Sequence, residues 1–149
     1  MARRAASTPA TRCAAACIHA APPKPPWYPE ATARWRSQLA ALPGPGDGPC
    51  ILAGDFNATV DHAQFRRVLR RGWADAAGQA GHGLSLTWGP RSGRRPALLA
   101  IDHVLIDRRC AVLTTSVHLL PGSDHRALCA QLRLPAPRNR VDQAPPATT

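Results

Sequence analysis

"ILAGDFNATVDH" (residues 51–62) joins an apolar run to a carboxylate and an amide, Asp55 and Asn57, which stand two residues apart. The apolar residues 50–54 predict a short strand in a covered sheet. Side chains at positions i and i+2 of a strand point the same way, so Asp55 and Asn57 are expected to reach one point while Phe56 turns into the core. A simple turn after the strand is the alternative, because Asp and Asn are also common turn residues.

The rest of the chain alternates apolar runs with Pro, Gly and charged clusters. Two helices are predicted, one at 31–42 after a proline-rich connection (20–30), and one that has Thr59 or Asp61 as its N-cap and ends at Gly72. Further strands are predicted at 13–19 (a buried strand), 84–88, 98–106, 110–119 and 127–134. The ends of the chain, 1–12 and 136–149, are expected to be disordered.

Composition is that of one ordinary domain, with 149 residues of which 44% are hydrophobic. The formal charge of +10 suggests a polyanionic partner such as nucleic acid or an anionic membrane. Lys24 is the only lysine, and this skew toward arginine fits a GC-rich coding bias equally well, so both explanations stay open. Five cysteines, an odd number without a repeated C-x-x-C pair, are expected to be small buried hydrophobes. Neither a signal peptide nor a membrane span is recognisable, which predicts a cytoplasmic protein by default.

Two further polar clusters fall at strand ends or in the loops beside them. Asp102 interrupts an apolar run and needs a donor or a cation beside it, and His125 in the loop "GSDH" (122–125) is the natural candidate. An Asp–His hydrogen bond would fix the imidazole tautomer and raise its basicity. In the alternative, Asp102 caps a turn or pairs with an arginine, and His125 is a surface residue. The arginine-rich loop "GPRSGRRP" (89–96) is expected to be a solvated turn, with phosphate contacts as the other possibility.

Taken in order, His19, "GDFNAT" (54–59), "TW" (87–88), "IDHVL" (101–105) and "GSDHRAL" (122–128) resemble the second half of the endonuclease/exonuclease/phosphatase family. The resemblance implies the C-terminal portion of a four-layer α/β sandwich, with mixed, mainly antiparallel sheets flanked by helices. Residues 13–135 would form this partial domain. The implied reaction is hydrolysis of a phosphodiester or phosphomonoester with Mg²⁺ or Mn²⁺, and the implied substrate is a nucleic acid, a phospholipid or an inositol phosphate.

The resemblance also implies a role for each matched residue. Asp55 and Asn57 would orient the attacking water and hold the phosphate oxygens, and Asp102 would orient His125. His125 would contact the phosphate or take the proton from water, and Asp124 matches the family's metal-associated carboxylate. His19 matches a histidine that assists the leaving group or the phosphate. Oxygen ligands of this kind suit a hard divalent cation.

One departure from the family pattern concerns the metal. The family's principal metal ligand is a Glu that precedes the first His by a long stretch, whereas the only Glu here, Glu30, follows His19 in the proline-rich loop. The chain is therefore expected to be a truncated piece of a domain, from a shortened gene or a start codon assigned too far downstream. Weak metal affinity, doubtful activity and exposed apolar faces or strand edges would follow. The rival hypothesis is a degenerate, non-catalytic module that binds phosphate-containing partners through its arginines.

Overall fold

A computed structural model describes residues 13–25, 27–46, 50–89 and 96–135. The predicted disordered ends, 1–12 and 136–149, and residues 90–95 of the arginine-rich loop lie outside the described residues. Six strands and three helices are found within the described part, in the chain order β1 (Ala14–His19), α1 (Pro29–Ala41), β2 (Cys50–Asp55), α2 (Ala63–Arg70), β3 (Trp73–Asp75), α3 (Ala76–Gln79), β4 (Asp102–Asp107), β5 (Ala111–Leu119) and β6 (Arg126–Arg133).

Two sheets organise these elements. The larger has the strand order β1-β2-β4-β3, in which β1 runs parallel to β2 and the other pairs are antiparallel. The smaller sheet is the antiparallel pair β5–β6. β2 and β4 are therefore the two central strands of the larger sheet, although β3 pairs only with residues 105–107 of β4 and does not reach its first residue, Asp102.

Helices α1 and α2 cover one face of the larger sheet. Their buried side chains recur at helical spacing, Trp35 with Leu39 and Phe65 with Val68, so each helix turns one apolar face inward. These four side chains pack with strand and loop residues that include Leu52, Phe56, Trp73 and Leu105. The first core of the protein thus lies between helices and sheet.

The opposite face of the larger sheet packs on the smaller sheet. Val104 and Ile106 of β4 meet the partly buried side chains of β5 and β6, among them Val112, Leu128, Ala130 and Leu132. Apart from the single turn of α3, the described residues form three layers, one of helices and two of sheet. This arrangement confirms the predicted α/β class with mixed, mainly antiparallel sheets. No helix in the described ranges has the length and apolarity needed to cross a bilayer.

Two of the predicted strands differ from the structure. Residues 84–88 form no strand, although Trp88 makes single bridges to Leu99 and His125, and β4 begins at Asp102 rather than at 98. The reason is a side chain: the Thr87 hydroxyl accepts hydrogen bonds from the backbone N–H groups of Ile101 and Asp102. With these two donors bonded to a side chain, the pairing of residues 87–88 with this part of the chain is limited to single bridges.

The helix starts and the first strand also need correction. α1 begins at Pro29, inside the segment predicted to be non-helical, because proline is well suited to the first turn of a helix. The N-cap of α2 is His62, since Thr59 and Asp61 lie in a turn before the helix. β1 is present as predicted but is not buried: it is the outer strand of its sheet, and Ile18 is its only residue that is not fully exposed. β3 and α3 were not expected from the sequence, because three and four residues are too short to show a periodicity.

Gly54 is required by the backbone geometry at the end of β2. Its φ of 139° is unfavourable for any other residue, and an added Cβ would overlap the carbonyl oxygen of Ile18 on β1.

We expect Gly54→Ala to destabilise the fold by about 3 kcal/mol, measured by urea unfolding. Gly78→Ala is the matched control: an added Cβ there makes ordinary contacts, and its effect should stay within about 0.5 kcal/mol or be stabilising. Equal effects of the two substitutions would contradict this account of Gly54.

The last residue of β4, Asp107, is buried and forms an ion pair with Arg109, whose side chain is 34% exposed. The Arg109 guanidinium lowers the pKa of the Asp107 carboxyl below its ordinary value. A carboxyl whose pKa is lower in the folded state stabilises the fold above its unfolded pKa, about 3.9, and this contribution disappears as the pH falls through the folded pKa.

Asp107→Asn should therefore lower the urea midpoint at neutral pH, and the difference from the unmodified chain should shrink in acid. The exposed Asp61→Asn is the control; an Asp107→Asn deficit that persists unchanged in acid would exclude this origin.

Candidate active site

Three chain segments bring their polar side chains together at one end of the larger sheet. Asp55 is the last residue of β2, and Asp102 is the first residue of β4. The antiparallel register pairs these two residues directly. His125 stands immediately before β6, which belongs to the other sheet, so the site lies where the two sheets meet.

Asp55 and Asn57 form one hydrogen-bonded unit. The backbone N–H of Asn57 donates to Asp55 Oδ1 (2.7 Å), and its Nδ2 donates to Asp55 Oδ2 (2.9 Å) and to the carbonyl oxygen of Ala20 (2.9 Å). The two side chains thus meet as predicted, but strand alternation is not the cause. The strand ends at Asp55, and Asn57 has a φ of 46°, a left-handed conformation that Asn tolerates better than most residues. Phe56 between them is fully buried, as expected.

Asp102 and His125 form the predicted pair. His125 Nδ1 lies 2.8 Å from Asp102 Oδ2. Because a carboxylate only accepts hydrogen bonds, this contact places the proton on Nδ1 and leaves Nε2 of a neutral imidazole with its lone pair. Both side chains are part-buried, with 30% of His125 and 19% of Asp102 exposed. The pair is therefore open to a ligand while its orientation is fixed.

Asp55, Asp102 and His125 together provide a possible set of metal ligands. One ligand atom of each lies within 4.8 Å of those of the other two. Burial raises the pKa of Asp55 above its ordinary value, and the negative charge of Asp102 adds to that increase, opposed by hydrogen bonding from the Asn57 backbone. A divalent cation between the carboxylates would relieve their repulsion, and two carboxylates with an imidazole fit such an ion.

The other two predicted site residues lie beside this group. His19 ends β1 with 82% of its side chain exposed, and its Nε2 is 4.0 Å from Asp55 Oδ2. Asp124 accepts a hydrogen bond from Trp88 Nε1 through Oδ2 (3.3 Å), and its backbone carbonyl accepts one from Gly89. Asp124 is not one of the three clustered ligands, and its role as a metal-associated carboxylate stays a prediction. Glu30 lies in the first turn of α1 and is also outside the group.

Thr87 is a positioning residue whose importance the sequence analysis did not recognise. It is fully buried, its hydroxyl accepts from the backbone N–H of Asp102 (3.1 Å), and its carbonyl accepts from that of Arg126 (2.7 Å). One residue thus fixes both Asp102 and the residue after His125. The sequence signal that could have indicated this role is that Thr87 belongs to the "TW" motif (87–88).

His103 supports the other side of the site. It is buried, with Nδ1 3.2 Å from Asp75 Oδ1 and Nε2 2.8 Å from the carbonyl oxygen of Ala58. Since Ala58 follows Asn57, this side chain fixes the turn that carries Asn57. Its two partners come from β3 and from the loop after β2, so the residue pattern around His103 alone did not reveal its function.

Comparison with solved structures finds the same fold in larger proteins. An endonuclease/exonuclease/phosphatase from Beutenbergia cavernae matches with a TM-score of 0.58 and 23% identity, over 78% of this chain and 34% of that one. One from Bacteroides vulgatus matches with a TM-score of 0.52 and 24% identity, over 66% of this chain and 40% of that one. The chain thus spans well under half the length of these two proteins. No curated protein matches it.

A family model gives the most extensive match. The model described as "Endonuclease/Exonuclease/phosphatase family" matches residues 2–125, which include the ends of β2 and β4 and the loop that carries His125. This range covers most of the chain and all the motifs on which the resemblance was based, apart from the last three residues of "GSDHRAL" (122–128). The chain therefore belongs to the endonuclease/exonuclease/phosphatase family.

Proposed function

We propose that residues 13–135 are the C-terminal part of a metal-dependent phosphoesterase domain that hydrolyses phosphodiester or phosphomonoester bonds. The observation that carries the proposal is the convergence of Asp55, Asp102 and His125, with ligand atoms within 4.8 Å of one another, at the end of two central strands. Membership of the family supports the reaction class. The length of the matched structures supports the view that this chain is one part of a larger domain.

The contacts suggest a role for each side chain. With Nδ1 held by Asp102, His125 Nε2 takes the proton from an attacking water, and Asp102 stabilises the resulting imidazolium. Asp55 orients that water, and Asn57 fixes the Asp55 carboxylate through two hydrogen bonds. His19, exposed at the end of β1, contacts the phosphate or the leaving group. Asp55 and Asp102 would hold a Mg²⁺ or Mn²⁺, which would supply charge neutralisation at the phosphate, while His125 Nε2 stays free to act as the base.

The ligand group formed by Asp55, Asp102 and His125 explains why metal binding should be weak. Asp55 and Asp102 are its only carboxylates, and Glu30 is held in α1, away from the group. Mg²⁺ sites of this kind depend on the substrate phosphate for further ligands. This placement of Glu30 is the observation that favours the second candidate function, a non-catalytic module that binds phosphate-containing partners.

Substitutions at the site should abolish hydrolysis. With Mg²⁺ or Mn²⁺ present, we expect His125→Ala and Asp55→Ala to lower cleavage of a chromogenic phosphodiester and nicking of a plasmid at least about 100-fold. Asp102→Asn should cause a comparable loss, because an amide can donate to Nδ1 and so favours the wrong tautomer. His118→Ala is the matched control, since His118 is exposed on β5, outside the proposed site, and its side chain hydrogen-bonds to Ser116 on the same strand.

The results separate the two candidate functions. Activity that survives His125→Ala and Asp55→Ala would show that the site is assigned wrongly. If the unmodified, folded chain cleaves neither probe with either metal, hydrolysis is not a property of this chain and the non-catalytic function is favoured.

Metal binding can be tested without activity. We expect a saturable calorimetric titration with Mn²⁺ that is weak in the unmodified chain and lost in the double variant Asp55→Asn/Asp102→Asn, which removes both carboxylates of the group. Glu30→Gln/Asp61→Asn removes two exposed carboxylates outside the group and is the charge-matched control, with a thermal melt to confirm folding. Equal binding by both double variants would place the ion elsewhere.

A further inference from the structure

A groove of about 370 Å³ runs between helices α1 and α2, on side chains that the proposed phosphoester site does not use. Its polar lining comes from both helices: Arg36 and Ser37 from α1, Gln64 and Arg67 from α2, and Arg71 just after α2. The positions follow helical spacing, because residues three, four or seven apart share a helix face. Among the residues that the structure describes, no carboxylate lines the groove.

The groove holds three guanidinium groups with little to neutralise them. Arg71 is fixed by hydrogen bonds from its NH1 to the carbonyl oxygens of Ala40 (2.8 Å) and Leu42 (2.7 Å) at the end of α1. Within the described residues, neither Arg36 nor Arg67 forms an ion pair. The only acidic residue of the two helices, Glu30, lies in the first turn of α1, nearly two turns before Arg36. Cations that share a groove repel one another until an anion lies between them.

We infer that this groove binds the phosphodiester backbone of a nucleic acid. Arginine presents planar paired donors that match phosphate oxygens, and the Ser37 and Gln64 side chains add neutral donors for the same oxygens or for sugar hydroxyls. Arg34 and Arg70 are also exposed on these helices, so positive charge continues beyond the groove. A positive surface longer than one phosphate suits an extended polyanion.

A membrane surface fits the same charge less well. Helices that lie on anionic lipid carry large apolar side chains that enter the acyl region beside the basic ones. Within α1 and α2, none of the large apolar side chains is strongly exposed, because Trp35, Leu39, Phe65 and Val68 are all buried against the sheet. The arginines therefore have no apolar anchor on the same helix faces, as in contacts to a nucleic acid backbone; the exposed aromatic residues Trp27 and Tyr28 precede the first turn of α1.

Binding of a fluorescein-labelled DNA duplex, followed by fluorescence anisotropy with the full chain, tests the inference. Metal is omitted, so that the duplex is not cleaved during the titration. We expect Arg36→Gln/Arg67→Gln to weaken binding at least tenfold and to reduce the slope of log Kd against log salt by about 2, one unit for each lost phosphate contact. Lys24→Gln/Arg133→Gln removes two exposed charges outside the groove and should leave the slope nearly unchanged. Thermal melts establish that both variants are folded.

Three outcomes would overturn the inference. The first is that the groove variant binds the duplex as tightly as the control variant. The second is that inorganic phosphate displaces the duplex far better than chloride at equal ionic strength, which would indicate a site for a single phosphate. The third is that vesicles of anionic lipid bind with the same dependence on Arg36 and Arg67 while the duplex does not bind.

Discussion

Two carboxylates, Asp55 and Asp102, are held opposite each other where the central strands of the larger sheet end, and much of the local structure serves to keep them there. Like charges this close are unfavourable, and burial raises the pKa of Asp55 further. Each carboxylate is offset by one partner: Asn57 donates twice to Asp55, and His125 bonds to Asp102. The two carboxylates therefore repel each other, and a bound cation or a proton would relieve this repulsion. Groups whose pKa is shifted in this way are common in functional sites.

The partners of these carboxylates are themselves held from outside the site. Thr87 fixes Asp102 and the residue after His125 through its hydroxyl and its carbonyl, and His103 holds the turn after Asn57. Gly54 lets β1 approach β2 closely, which brings His19 to 4.0 Å from Asp55. The proposed chemistry would thus depend on residues outside the ligand group, and the geometry is built from five separate parts of the chain.

Much of this could be predicted from the sequence where one element alone determines it. The amphipathic pattern around Phe65 and Val68 revealed α2, and an isolated carboxylate in an apolar run correctly indicated that Asp102 needs a partner. The failures occur where distant segments decide the outcome. Residues 84–88 have a strand-like pattern, but the Thr87 hydroxyl takes the donors that a strand would need. Likewise, the exposure of β1 depends on its place at the side of the sheet, which local composition does not encode.

The position of β1 at the edge of its sheet makes the solvent exposure of His19 depend on what lies beside this strand. Among the described residues, one side of this strand has no hydrogen-bonded neighbour, and His19 at its end is largely exposed to solvent. A strand added along that side, from any chain able to pair with it, would satisfy the free backbone groups and cover His19. Pairing of another strand with β1 would therefore change the solvent exposure of one proposed functional side chain, and assembly would act on the site through the backbone of a single strand.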